Sequence, residues 1–360
     1  MNQDKIVVVM GGTSTEAEVS RRTGAAILAA LQEKGCNAEG MELNPKTFAM
    51  DIQKAGAKMV FNALHGKFGE DGLLQGTLDM LGIPYTGSGV LAAAVTMDKA
   101  ASKRVFISEG ISTPKCHTYN SFEQKRDLAG EIMAEFGLPV VVKAASQGSS
   151  IGVYIVEKAE ELATAIKEAF SYNDEILVEE FIKGREMTVA VWGDEDKKEA
   201  FPIIEITTTS GRYDYNSKYT KGASAHIIPA PVSEEKTREM QELAIKTYTA
   251  CGCKGVARVD MMYSEDETPY VIEVNSVPGM TETSLVPDAG RAMGVEFPDL
   301  CLRILAHVAR TVGAAVGGVD IVRAAGGEGG RVCELVDVTF CIGEHTGGET
   351  ACVHAGACDL

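Results

Sequence analysis

The stretch Gly255-Val-Ala-Arg258-Val-Asp260-Met-Met-Tyr263-Ser-Glu-Asp-Glu-Thr-Pro-Tyr270-Val-Ile-Glu273-Val-Asn275-Ser-Val-Pro278 carries most of the architecture. Residues 256–263 and 270–275 are strand-like, and the polar segment between them reads as a turn. Pairing Tyr263 with Tyr270 sets a hairpin register in which Asp260 faces Glu273 and Arg258 faces Asn275. Side chains alternate with period two, so these four share one face. Two carboxylates directly opposed on a buried face repel, and a divalent cation between them removes that penalty. Asp, Glu and Asn offer hard oxygen ligands of the kind magnesium takes alongside nucleotide phosphates. An exposed polar hairpin face has the same composition, so the hairpin alone leaves both readings open.

Upstream, Lys143-Ala-Ala-Ser-Gln-Gly-Ser149-Ser150-Ile-Gly152 joins two strand-like runs, 138–142 and 153–156. Its glycines permit close backbone approach, hydroxyls and N–H groups can cradle phosphate oxygens, and Lys143 adds a point charge. No G-x-x-x-x-G-K-[ST] occurs, so this is not a Walker A loop. Gly148 to Gly152 matches G-x-S-x-G, but that nucleophile pattern needs a strand-to-helix turn and here a strand follows. Further on, Glu179-Glu180-Phe-Ile-Lys-Gly-Arg-Glu186 closes an apolar strand with acids that suit an adenosine, or an ordinary solvated strand end. A polar loop spans 207–226 and contains Tyr213-Asp-Tyr-Asn-Ser-Lys218-Tyr219; loops of that length in compact domains are usually functional or disordered. His65 follows a strand in a turn-rich segment, where histidine is more often structural than catalytic. A phosphate-cradling hairpin, a downstream metal hairpin and no Walker A together predict a nucleotide held between two mixed α+β halves.

The first hundred residues alternate strand and helix patterns. Residues 6–10 are a buried strand, Thr15-x-x-Glu18 has capping-box spacing ahead of a helix that stops at Gly35, residues 58–63 are a strand and 72–81 a short helix. This βαβ pattern predicts a parallel sheet. The first turn lacks G-x-G-x-x-G, which removes support for a dinucleotide site.

The 360 residues include 34 Lys+Arg and 51 Asp+Glu, a formal net charge of −17 that argues against a nucleic-acid partner. No window approaches the roughly 18 apolar residues of a membrane span, and the five-residue run at Ile6 is too short for a signal-peptide core. With no C-x-x-C among nine Cys, free thiols in a cytoplasmic protein are expected. Residues 311–360 differ from the rest: 11 of the 38 Gly, four Cys, no Lys, and seven acids against two Arg. Their Cys are separated by seven, ten and five residues, spacings that lack a zinc-type C-x₂₋₄-C pair. The expectation is a poorly ordered or non-family extension over 312–360.

Taken in order, these stretches resemble the D-alanine–D-alanine ligase family within the ATP-grasp superfamily. The matching segments are Gly11-Gly-Thr-Ser-Thr-Glu16-Ala-Glu-Val-Ser20, His65-Gly-x-x-Gly-Glu-Asp-Gly72, Pro84-Tyr-Thr-Gly-Ser-Gly89 with Met97-Asp-Lys99, Lys143 to Gly152, Tyr213-Asp-Tyr-x-x-Lys218-Tyr219, Arg258-Val-Asp260, and Glu273-Val-Asn275-Ser-Val-Pro-Gly279-Met-Thr281-x-x-Ser284-Leu285-Val-Pro287. The resemblance covers about Lys5 to Arg310. It implies an α/β ATP-grasp fold with a parallel-sheet N-terminal domain over 1–104, a central lobe over 105–190 and a C-terminal lobe over 191–311. It implies that ATP phosphorylates one D-alanine and that a second D-alanine attacks the acyl phosphate. In that reading Lys99, Lys143 and Lys218 contact phosphates, Glu179 and Glu186 the adenosine, and Asp260, Glu273 and Asn275 hold magnesium or manganese, two ions in all. Glu16 receives the first ammonium and forms a triad with Ser149 and Tyr219. Arg258 and the Gly279 N–H make the oxyanion site, and His65, Ser284 and Leu285 line the substrate site. A homodimer is implied too.

The chain departs from the expected pattern at Ala17, where many relatives have His, and at Arg21-Arg22, neither of which touches an assigned role. Tyr219 stands where phenylalanine is associated with D-lactate acceptors, which favours the amide-forming activity over a D-alanine–D-lactate or D-alanine–D-serine ligase. A non-catalytic ATP-binding regulator is the remaining alternative, and the intact Arg258, Asp260, Glu273 and Asn275 argue against it.

Overall fold

The computed structural model describes residues 4–193, 197–208, 224–281 and 284–312. Lys218, Tyr219, most of the 207–226 loop and the 313–360 tail therefore lie outside the described residues.

Strand β1 (Ile6–Met10) is apolar throughout because both its faces are covered. Ile6 and Val8 enter a core shared with α1 (Ala17–Glu33), and Val7 and Val9 enter another with α2 (Phe48–Ala55) and α3 (Leu73–Leu81). With β2 (Ala38–Glu42) and β3 (Met59–Asn62) it forms the expected parallel sheet, in the order β2-β1-β3. The capping box is not formed: α1 begins at Ala17, and its N-terminal flanking residue Glu16 makes no side-chain cap. Glu16 spends its carboxylate elsewhere, on Ser149.

Helices α4 (Val90–Met97) and α5 (Lys99–Ser108) lead to a second sheet. Asp98 caps α5 by accepting from Ala101 N at 2.8 Å. The sheet orders β4 (Cys116–Asn120), β7 (Glu175–Glu180), β5 (Val140–Ala144) and β6 (Val153–Val156), all antiparallel. Helices α6 (Leu128–Phe136) and α7 (Ala159–Phe170) cover one face, where Val140, Val142, Ile176 and Val178 pack with Ile132, Leu162 and Ile166. Period two then sends Lys143 and Glu179 to the opposite face.

The third sheet runs β11 (Ser224–Ile227), β10 (Ile204–Thr208), β8 (Gly184–Gly193), β12 (Gly255–Ser264) and β13 (Pro269–Asn275), with β9 (Lys198–Ala200) paired to the far end of β8. Helix α8 (Glu234–Ala250) covers one face, burying Val189, Val259 and Met261 with Met240, Ala244 and Tyr248. On the other face Ala190, Val256, Ile204 and Ile206 join the α1 core with α9 (Leu285–Ala292) and α10 (Phe297–Val312), and Glu186, Thr188, Arg258 and Asp260 continue that face.

The hairpin register needs one correction. Tyr263 pairs with Pro269 and Met261 with Val271, not with Tyr270 and Ile272. A bulge follows, after which Asp260 faces Glu273 and Arg258 faces Asn275 as expected. Its physical reason is the core: Val271 and Val274 are both buried against α8, and only an extra residue between them puts both on one face.

Candidate active site

A cavity of about 730 Å³ opens where the three sheets meet. At one end, Glu16 is 7 % exposed and accepts from the Ser149 hydroxyl. Ser149 and Ser150 adopt left-handed φ values of 49° and 60°, uncommon for serine, so the turn spends conformational energy to present its hydroxyls and N–H groups. Gly66 and Gly148 flank Glu16 so closely that a Cβ at either would lie 2.8 Å or 2.5 Å from its Oε2. His65 is buried, with Nε2 3.0 Å from Thr23 Oγ1 and Nδ1 3.7 Å from Glu70 Oε1. The Ser14 hydroxyl donates to the His65 carbonyl at 2.8 Å, which ties the turn after β1 to the segment after β3.

The middle is built by Lys99 and the β12–β13 hairpin. Lys99 Nζ donates to the Gln147 carbonyl at 2.6 Å and sits 3.4 Å from Glu273 Oε2, so one ammonium links the glycine-rich loop to the hairpin. Asp260 accepts from Thr188 Oγ1 at 2.6 Å, from Arg258 Nε and Nη2 at 2.8 Å each, and from Asn275 Nδ2 at 2.9 Å. Four donors fill the lone-pair capacity of that carboxylate and fix the guanidinium plane of Arg258. At the far end, Ser284 precedes α9 and its Oγ accepts from Thr281 N at 3.1 Å, while Leu285 is buried. A Cβ on Gly279 would lie 3.2 Å from Ser284 Oγ, so the backbone there passes close to that hydroxyl.

Family models for the D-ala D-ala ligase N-terminus and C-terminus match residues 38–88 and 106–306. The chain belongs to the D-alanine–D-alanine ligase family. Among its relatives, the D-alanine–D-alanine ligase of Desulforudis audaxviator is 48 % identical over 82 % of this chain and 95 % of its own length. That of Moorella thermoacetica is 47 % identical, covering 84 % and 98 %. Among solved structures, the Bacillus anthracis D-alanine–D-alanine ligase complexed with ATP superposes with a TM-score of 0.74 at 33 % identity, covering 86 % of this chain and 98 % of that one. The VanG D-Ala:D-Ser ligase of Enterococcus faecalis gives 0.72 at 30 %, covering 85 % and 100 %. The fold is therefore the ATP-grasp arrangement of that family, with its parallel N-terminal sheet.

In this ligase-family chain, Glu16, His65, Lys99, Ser149, Arg258, Glu273, Asn275, Gly279, Ser284 and Leu285 all line the one cavity. Asp260 lies behind Arg258, and Glu186 shares its sheet face, paired to Met262 two positions along. Lys143 and Glu179 sit in a closed cluster: Lys143 pairs with Glu179, and Lys103 Nζ lies 2.5 Å from Glu179 Oε1. Burial raises the Glu179 carboxyl, but the two ammonium groups outweigh it and hold it below the usual carboxylate range. Burial and the neighbouring Lys143 push Lys103 below an ordinary lysine, against the pull of Glu179.

Sequence reasoning passed over several residues here. Arg22, set aside as a departure without a role, lines the cavity near Glu16. Lys103 is fully buried, and its signal was available: it lies four residues after Lys99 on one helix, beside the buried Ala100 and Phe106. His226 and Asp288, joined at 2.5 Å between Nδ1 and Oδ2, also line the cavity, and nothing in their spacing announced the pairing. Among the described residues no helix is long and apolar enough to cross a membrane.

Proposed function

We propose that this chain joins two D-alanine molecules to D-alanyl-D-alanine with ATP as co-substrate, releasing ADP and phosphate and supplying a peptidoglycan precursor. The observation that carries the reading is the cavity itself: in a D-alanine–D-alanine ligase family member, an acidic pocket, a cation-linked glycine loop and an arginine hairpin face one space. Glu16, steadied by Ser149, receives the ammonium of the first D-alanine, with His65 beside it. Lys99 and Lys143, together with Lys218 from the 209–223 segment, contact the phosphates of ATP, and Glu179 and Glu186 contact the adenosine. Tyr219 completes the triad with Glu16 and Ser149. Charge neutralisation and alignment, more than covalent help, are what phosphoryl transfer requires. Asp260 holds the Arg258 guanidinium in one plane, so that Arg258 and the Gly279 N–H stabilise the oxyanion as the second amine attacks the acyl phosphate. Ser284 and Leu285 line the second subsite.

Glu273 and the Asn275 side-chain carbonyl oxygen, both lining the cavity, are hard oxygen donors that fit magnesium or manganese, one or two ions. Asp260, opposite Glu273, would join them once one of its four present donors gives way. Such an ion supplies charge neutralisation for the phosphates. The lobes run over 1–104, 105–190 and 191–311, with β8 crossing the second boundary. A homodimer is supported by the apolar side chains Leu73, Met80, Val90 and Leu91 exposed on α3 and α4. A cytoplasmic location fits a chain with no membrane-crossing helix among its described residues.

ADP release tests the reading: it should require D-alanine and magnesium together, and equal release with L-alanine would sink the stereochemical claim. The VanG likeness shows that this scaffold also serves a D-serine acceptor. Competing D-serine or D-lactate against D-alanine, with products identified by mass, decides the acceptor; D-alanyl-D-alanine should dominate.

A further inference from the structure

One buried carboxylate in this chain carries two ammonium groups. Glu179 and Lys103 are 1 % and 2 % exposed, and Lys143 is nearly as buried. A buried carboxylate needs one counter-charge to be stable, and a second leaves the cluster with an uncompensated positive charge in a poorly solvated place. Such a surplus is costly to keep unless an anion arrives to use it.

The two lysines are not equivalent. Lys103 Nζ meets Glu179 Oε1 at 2.5 Å, also donates to the Thr113 hydroxyl and, at 3.3 Å, to the Val271 carbonyl, and stands 5.9 Å from the Phe106 ring centroid. Thr113 Oγ1 itself donates to the same Val271 carbonyl at 2.7 Å. Lys103 is thus held by partners on the central sheet, on α5 and on the hairpin strand β13. Lys143 has Glu179 as its one partner among the described residues, and its strand leads directly into the 145–152 loop. One cation is built in, and the other is merely parked.

We propose that Lys103 is the permanent counter-ion of Glu179, a positioning residue that frees Lys143 to leave that carboxylate for the phosphates of the nucleotide. The proposal rests on the reading that Lys143 is a phosphate contact. Without Lys103, departure of Lys143 strands an ionised carboxylate in the interior, so Glu179 retains Lys143 and competes with the nucleotide for it. A neutral residue at 179 makes no such claim on Lys143, which gives the proposal a distinctive signature.

The experiment is steady-state ADP release by the full chain, with KM for ATP and for D-alanine measured separately. Lys103→Met keeps the length of the side chain and removes its charge. It should raise KM for ATP about tenfold or more with KM for D-alanine within about twofold. Adding Glu179→Gln to Lys103→Met should bring KM for ATP back to that of Glu179→Gln alone. A Lys103→Met enzyme with parental KM for ATP, or a double variant whose KM for ATP stays above that of Glu179→Gln alone, overturns the proposal. Should Lys103→Met not fold, the double variant against Glu179→Gln alone decides: equal KM for ATP supports it, and a raised value overturns it. Lys143→Ala is the separate check on the reading beneath: an unchanged KM for ATP there removes the phosphate role of Lys143, whatever Lys103 does.

Discussion

Gly148→Ala should damage substrate handling without touching any charged group. A Cβ at 148 would stand 2.5 Å from Glu16 Oε2 and 3.3 Å from its Cδ, where ordinary contact begins near 3.4 Å, so the carboxylate must retreat by about 0.9 Å. Its room to move is small, because Gly66 also lies near that oxygen, where a Cβ would be 2.8 Å away, and the carboxylate is bound by Ser149. A misplacement of about 1 Å in a positioning group costs about 10²-fold. That factor corresponds to about 2.7 kcal/mol of transition-state stabilisation. The assay is coupled ADP release with D-alanine varied at saturating ATP. kcat/KM for D-alanine should fall about 10²-fold, with KM for ATP and the melting temperature nearly unchanged. Gly76→Ala is the control: its nearest neighbour would be Val90 Cγ2 at 3.8 Å, and in the interior of α3 alanine is favoured by about 0.5–1 kcal/mol. If Gly148→Ala turns over D-alanine as the parent does, the slot around Glu16 is not the ammonium site.

Glu273→Ala removes the one carboxylate that faces both Lys99 and Asp260, and turnover should drop at least about 10²-fold, the scale for losing a fixed electrostatic contact; an active variant would show the hairpin is not the ion site. Deleting residues 313–360 should leave kcat within about twofold, since family similarity stops at residue 306, whereas deleting 297–360 should leave an insoluble chain. The second deletion strips Leu300, Leu302, Ile304, Leu305 and Val308 from the core, and at about 1.5–3 kcal/mol each their burial rivals the whole stability of a domain. Burial pushes the Cys251 and Cys253 thiols up to about 12, so iodoacetamide at pH 8 should label their peptides slowly in the native enzyme and quickly in urea; equal rates would refute the burial argument.

The sequence made the chemistry legible where residue type and spacing act locally. Asp260 opposite Glu273 follows from strand alternation, and the parallel sheet follows from an apolar run long enough to be covered on both faces. What stayed hidden needed contacts across the chain. The bulge at Ile272 is dictated by α8, although Val271 and Val274 at odd spacing were a usable hint. The Thr15-x-x-Glu18 spacing predicted a cap, but the helix is flanked by Glu16 rather than Thr15, Glu18 accepts from Arg21, and Glu16 is bound by a serine 133 residues later. Lys103 and Lys143 look alike as residues and are both buried, and only their partners separate the fixed cation from the parked one. His226 and Asp288 come from distant elements, so their pairing has no signature in either segment.

The α10 helix packs on α1, and Lys34 at the end of α1 reaches Asp299 at 2.5 Å. During synthesis, then, the sheet is sandwiched early between α1 and the pair α2 and α3, but the outer side of α1 stays uncovered until nearly three hundred residues have been made. The last helix among the described residues is the lid of the first domain. Helix α1, which Glu16 precedes, and one face of the third sheet are covered by that same helix, so the amino-acid pocket and the C-terminal lobe are completed together. A chain ending before α10 would therefore present bare hydrophobic surface from α1 and from the third sheet at once.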